Sequence, residues 1–160
     1  MAETLPVLQF SHFEHAALIR AVVEDFAPRF VPDCVAIYVD DTRDDLEPSD
    51  LALLADLGID VDSRGKMPHV MLHSVEKNWL LLVEAVTNHG LIDDKRHAEL
   101  TKLCAGSTAG LIFVTALPSR AIMADLPGEI AWETVVWTAD EPSHLIHFNG
   151  ARFLGPYKAP

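Results

Sequence analysis

Trp79-Leu-Leu-Leu-Val-Glu84-Ala-Val86 is the stretch on which the fold turns. Its apolar run meets a carboxylate near its end, and two more apolar residues follow. Preceded by a Glu76-Lys77-Asn78 turn, such a segment reads as a buried strand. Side chains alternate across a strand, so Leu82, Glu84 and Val86 share one face. Burying a neutral polar group without a partner already costs about 1–3 kcal/mol, and a charged carboxylate more. The plain explanation is a glutamate at the sheet edge paired with a Lys or Arg. The functional one is a carboxylate held for chemistry, for instance on a metal. The residues alone leave both open.

Working outward, Val70-Met-Leu72 after Pro68 is a short strand, and with Trp79–Val86 it makes a hairpin. Upstream, Val35-Ala-Ile-Tyr-Val39 is a strand leading into the acidic turn Asp40-Asp41-Thr42-Arg43-Asp44-Asp45. A helix over about 12–27 precedes it, with Ser11 as cap and Glu14 completing a capping box. Its Ile19, Val22, Val23 and Phe26 form one apolar face, and Pro28 and Pro32 are expected to end it. Ser49 or Asp50 opens a short helix over 51–57 that Gly58 closes.

Downstream, Asp93-Asp94 opens a helix over about 93–104. Leu111-Ile-Phe-Val-Thr115 is an apolar strand. A short helix follows Pro118, then a strand within Ile130–Ala139. The tail Leu145–Tyr157 reads as irregular. This order predicts a mixed α/β fold with one central sheet flanked by helices.

The chain has 160 residues, 49% hydrophobic and 22% charged, enough for a single domain with its own core. No apolar run reaches the length of a membrane span, and the N-terminus lacks the pattern of a secretory signal, so the expectation is a cytoplasmic protein without membrane contact. Cys34 and Cys104 read as two buried free thiols. No Cys/His spacing suggests zinc, and His144-Leu-Ile-His147 lacks a helical metalloprotease context. Phosphate-loop, nucleophile-elbow and dinucleotide motifs are missing. The formal net charge of −12 argues against a protein that coats nucleic acid. It leaves room for an enzyme whose carboxylates are neutralised by cations, with another domain or subunit supplying phosphate affinity.

Three features carry candidate chemistry. Glu84 is the first. The second is the acidic turn, where Asp41 follows a buried strand and could converge with Glu84 on a hard cation; a solvated loop is the alternative. The third is Lys95-Arg96-His97 in the first turn of a helix. Cations there oppose the macrodipole unless something nearby needs positive charge, such as a phosphate. A solvent-facing pair balanced by Asp93 and Asp94 explains them equally well.

Several segments taken together resemble the BsuBI/PstI family of type II restriction endonucleases. They are Tyr38-Val-Asp-Asp-Thr42, Trp79 through Glu84-Ala-Val-Thr-Asn-His-Gly90, Lys95-Arg-His-Ala-Glu-Leu100, Phe113-Val-Thr-Ala116, and Trp132-Glu-Thr through His144-Leu-Ile-His-Phe-Asn-Gly150 to Phe153-Leu-Gly-Pro-Tyr157. The resemblance spans most of residues 33–157, with 1–31 as an N-terminal helical segment. It implies a restriction-endonuclease-like fold of the PD-(D/E)xK type, double-stranded DNA as substrate, and magnesium as cofactor, with manganese as the alternative. It further implies Glu84, Asp41 and the residue at 69 as metal ligands, Lys95 as a catalytic cation, and Arg96, Asn88 and His89 as contacts to DNA. A separate DNA-recognition domain also follows from the resemblance, and cutting both strands of a palindrome suits a homodimer.

The chain departs from the family pattern at informative places. His69 stands where the pattern has Asp after Pro68, and an imidazole is a poor ligand for magnesium. Val86 stands where the wider PD-(D/E)xK motif has a Lys two residues after the glutamate, a feature in which the chain resembles other family members, so that role falls to Lys95. Asn88, Leu91 and Val135 also differ from the pattern. The reading is therefore a metal-dependent endodeoxyribonuclease domain impaired by His69. Its alternatives are a non-catalytic nuclease-fold module for DNA or protein binding, or a partner-dependent anti-phage defence effector.

Overall fold

Trp79–Ala85 forms the third strand of a six-stranded sheet in a computed structural model that describes residues 12–40, 48–59, 67–87, 91–126 and 129–157. The strands are β1 (Cys34–Val39), β2 (Val70–Ser74), β3 (Trp79–Ala85), β4 (Gly110–Leu117), β5 (Thr134–Thr138) and β6 (Ile146–Phe148), and they lie side by side in chain order. β1, β2 and β3 are antiparallel neighbours. β3, β4 and β5 are parallel, and β6 returns antiparallel to β5. A parallel neighbour needs a crossover. Between β3 and β4 that crossover carries α4 (Asp94–Leu103). The mixed α/β architecture expected from the order of elements is the one observed.

The sheet is covered on both faces, which is why β3 is apolar at nearly every position. One face packs α1 (His12–Ala21) and the turns that continue it: Leu18, Ile19, Val22 and Phe26 meet Val70, Leu72, Leu81, Val83 and Trp137. The opposite face packs α3 (Pro48–Asp56) and α4: Leu54, Leu100 and Leu103 meet Met71, Leu80, Leu82 and Phe113. Glu84 is in register with Leu80 and Leu82 and so belongs to the α4 face. A smaller cluster of Val86, Leu117 and Val136 closes the end of the parallel strands against Ile122, Met123 and Leu126.

Three expectations are corrected. The first helix does not stop at Pro28. A π-helical turn over Val22–Phe26, with Ala27 N–H bonded to Val22 O, leads into α2 (Ala27–Phe30). In a regular helix the proline ring collides with the carbonyl four residues back, and the wider turn relieves that collision. Pro28 then sits in the first turn of α2, where its missing N–H costs nothing. Secondly, the tail is not wholly irregular, since it contains β6. Thirdly, Cys34 is only partly buried; Cys104 is buried, and its burial pushes the thiol up to about 11. Ser11, expected as a cap, lies outside the described residues, and so does most of the acidic turn, 41–47.

Gly58 closes α3 with φ +84°. A Cβ at that position would stand 2.3 Å from the carbonyl oxygen of Gly106, in the turn after α4. The two helix ends on this face are thus docked backbone to backbone, which only glycine permits.

Candidate active site

The ends of β2, β3 and β4 bring a short row of polar groups together. Val70 pairs with Val83 across the hairpin, which puts His69 opposite Glu84. Glu84 in turn pairs with Thr115 on β4. Thr115 is fully buried, and its hydroxyl accepts from the Ile92 N–H at 3.3 Å. The Ile92 carbonyl accepts from the Ala131 N–H at 2.9 Å. These two bonds tie the loop entering α4 to β4 and to the approach to β5. Asp93 caps α4 by accepting from the Arg96 N–H at 2.8 Å. The first turn of α4 is therefore fixed above Glu84.

Arg96 uses that position. Its Nε donates to Glu84 Oε2 at 2.7 Å, and its Nη2 reaches the same oxygen at 2.6 Å. The remaining guanidinium valence goes to Glu99 Oε1 at 3.2 Å and to the Met67 carbonyl at 3.0 Å. Glu84 is 2% exposed, so this contact supplies its counter-charge out of water. The plain explanation of Glu84, a buried glutamate paired with an arginine, is thus realised here.

The second carboxylate oxygen, Oε1, stands 3.1 Å from His69 Nδ1. That same nitrogen accepts from the Ala85 N–H at 2.9 Å. The bond satisfies a backbone donor of β3 that lies just beyond the last paired residue of β2. His69 is flanked on its other side by the His15 ring, centroid to centroid 4.6 Å and edge to face. His15 Nδ1 lies 3.4 Å from the Thr87 hydroxyl. Position 69 thus bridges the helical layer of α1 and the carboxylate on β3.

The other expected residues fall as follows. Lys95 is exposed at the head of α4, and its side chain makes no hydrogen bond or ion pair with the described residues. Arg96 turns inward onto Glu84. The sequence held a signal for this: Arg96, Leu100 and Leu103 are spaced i, i+4, i+7, so Arg96 shares the buried stripe of α4. Asp41, Asn88 and His89 lie outside the described residues. Asp40 is a neighbour that the sequence reading passed over. Its N–H donates to the His69 carbonyl at 2.7 Å, which sets Asp40 level with His69 and Glu84 in the register. A bulge between Ala36 and Tyr38 shifts the parity of β1, and simple alternation along the strand does not reveal it.

Magnesium takes oxygen ligands in a near-octahedral shell. Between Glu84 and His69 the atoms that face each other are one carboxylate oxygen and one imidazole nitrogen. The other oxygen of Glu84 is held by a guanidinium. An imidazole nitrogen that accepts a hydrogen bond has no second in-plane lone pair to offer. Among the described residues no group of three His, Cys, Asp or Glu is placed to hold a metal. The arrangement of these residues does not fit a magnesium ion.

Residues 3–151 match the family model of the BsuBI/PstI restriction endonuclease domain. The type II restriction enzyme BsuBI of Bacillus subtilis is 57% identical over 145 residues, which cover 91% of this chain and 46% of that enzyme. The type II restriction enzyme AplI of Arthrospira platensis is 34% identical over 144 residues, covering 86% of this chain and 44% of that enzyme. Among solved structures, the SdaI restriction endonuclease aligns with a TM-score of 0.80 at 42% identity, over 91% of this chain and 46% of its own. The chain therefore spans about half the length of the relatives it matches.

Proposed function

This chain belongs to the BsuBI/PstI restriction endonuclease family, and we propose that it is the nuclease-fold half of a type II restriction enzyme, acting on double-stranded DNA at Glu84 with activity curtailed by His69. The observation that carries this is the position of Glu84. It is a buried carboxylate at the carboxyl end of parallel strands, beside the head of the crossover helix. Ligand sites of open α/β sheets collect at that edge.

The side chains divide the work. Glu84 supplies the fixed negative charge of the site. Arg96 holds it in place and is a positioning residue, a role that replaces the DNA contact expected for it. Lys95 lies on the same helix turn with its ammonium in water, placed to meet a phosphate oxygen and offset charge on the pentavalent phosphorus. Asp41, Asn88 and His89 keep the roles implied by the family resemblance, as metal ligand and DNA contacts. Since the donors described do not fit magnesium, the roles assigned are those of the side chains alone. Sequence recognition belongs to the part of the relatives' length that this chain does not span, and a homodimer suits a palindromic target. Among the described residues no helix is long and apolar enough to cross a membrane, and a cytoplasmic site of action is part of the proposal.

A second reading, a nuclease fold that binds DNA without cutting it, is favoured by the same network, in which Arg96 holds one oxygen of Glu84 and the His69 ring stands against the other. Plasmid cleavage with magnesium or manganese decides between them. On the first reading the chain nicks or linearises plasmid slowly, Glu84→Ala abolishes cutting, and His69→Asp accelerates it. Cleavage that survives Glu84→Ala sinks the assignment of the site. Failure of both the native chain and His69→Asp to cut supports the second reading.

A further inference from the structure

We infer that His69 closes the Glu84 site to hard divalent cations, and that Arg96 serves as the resident cation in their place. The inference rests on the placement of the site at Glu84, and it goes beyond the proposed function by naming what the site refuses and which residue enforces it.

The argument begins with a backbone donor. The Ala85 N–H points toward position 69 at the end of the β2–β3 ladder and needs an acceptor. His69 provides one through Nδ1 at 2.9 Å. That bond directs the in-plane lone pair of Nδ1 at Ala85. Yet the same nitrogen is the atom that faces Glu84, 3.1 Å from Oε1. A cation approaching between Oε1 and position 69 meets a carboxylate oxygen on one side and a nitrogen whose lone pair is already engaged on the other. A carboxylate oxygen at position 69 differs in kind, because it carries two lone pairs. It can accept the Ala85 N–H and still coordinate.

Charge points the same way. Glu84 Oε2 takes two donors from Arg96, whose guanidinium is itself anchored by Glu99 and the Met67 carbonyl. One oxygen of the buried Glu84 carboxylate is therefore already held by a cation before any metal arrives, a cation it shares with Glu99. A further carboxylate at position 69, directly across the ladder from Glu84, would set a third negative charge against the single guanidinium and raise the demand for a cation. An imidazole whose Nδ1 accepts a backbone N–H adds no such charge.

Manganese binding reads this directly and independently of cleavage. Free Mn2+ is followed by its electron paramagnetic resonance signal in the presence of the 160-residue chain, of His69→Asp, and of His69→Asp combined with Glu84→Gln. The expected result is a site in His69→Asp at least about tenfold tighter than in the native chain, since even partners that only hydrogen-bond to a ligand tune metal affinity on that scale. That site is lost when Glu84→Gln is added. Should His69→Asp fail to fold without metal by circular dichroism, His69→Asn is read instead. Its amide oxygen also has two lone pairs but no charge, and it too is expected to bind Mn2+ more tightly than the native chain. Native binding that depends on Glu84 and lies within about threefold of the variant overturns the inference. So does a folded His69→Asp, or in its place His69→Asn, that takes up no more Mn2+ than the native chain. If His69→Asp binds the metal but cuts no DNA, the inference stands and the proposed nuclease activity falls.

Discussion

Removing the Arg96 side chain would leave a carboxylate with 2% exposure facing apolar neighbours without its cation. Breaking a buried pair from one side costs about 3–5 kcal/mol, since the remaining charge is uncompensated. Arg96 keeps some access to water, 18% by side-chain exposure, which favours the lower end of that range. Arg96→Met is expected to destabilise the chain by about 3 kcal/mol in urea unfolding. Adding Glu84→Gln to it should restore much of the loss. A cost below about 1 kcal/mol would mean that the pair behaves like one at the surface. The legibility of the site differs residue by residue. Glu84 stood out because a charge in an apolar run conflicts with burial. Its partner was harder to name, because Arg96 lies across a crossover and Lys95 beside it offers the same charge. The stripe formed with Leu100 and Leu103 separates the two, since successive helical residues point about 100° apart. His69 was legible only as a departure from a family pattern. Its bond to Ala85 depends on strand register, which residue type does not disclose.

At the scale of elements, the docking of α3 against the end of α4 rests on two glycines. Gly58 at φ +84° was readable as a helix terminator, because L side chains avoid that conformation. Gly106 was not readable as its partner, since only the folded chain brings the two turns together. Gly58→Ala meets both obstacles at once: the left-handed backbone costs about 1–2 kcal/mol, and the new Cβ would lie 2.3 Å from a backbone oxygen that cannot rotate away. The expected loss is about 2–3 kcal/mol, read as a lowered thermal midpoint. Gly106→Ala, whose Cβ would meet Gly58 O at 3.0 Å with an ordinary backbone angle, should cost less. If Gly58→Ala melts like the native chain, the two turns are not in contact in solution. The elements missed or misjudged were those without a strong period. β6 has three residues and sits among Pro, Gly and Asn. The π-helical turn keeps the apolar face of a helix while changing its hydrogen bonds, so the sequence pattern passes through it unbroken.

For the whole molecule, the acidic balance and the share of the relatives' length combine into one expectation. The formal net charge is −12, while association with a duplex is driven by cations that displace condensed counterions. In the site described here Arg96 is spent on Glu84 and Glu99, which leaves Lys95 as the exposed basic group of the first turn of α4. A nuclease fold of this charge has little electrostatic means of finding DNA by itself. The matched relatives are about twice as long in their own right, each covered only 44–46% by the alignment. The duplex affinity of a complete enzyme would then come from the half that this chain does not span. The 160-residue chain alone should bind a fluorescein-labelled duplex more weakly than about 10 µM at physiological salt. Between 50 and 200 mM salt its affinity should change far less than the roughly 10³–10⁵-fold expected of a protein making six to ten phosphate contacts. Fluorescence anisotropy at both salt concentrations tests this. A dissociation constant below about 1 µM with a steep salt dependence would place the phosphate-binding surface in this half after all. It would also require basic side chains to cluster on a face of the chain against the sign of its total charge.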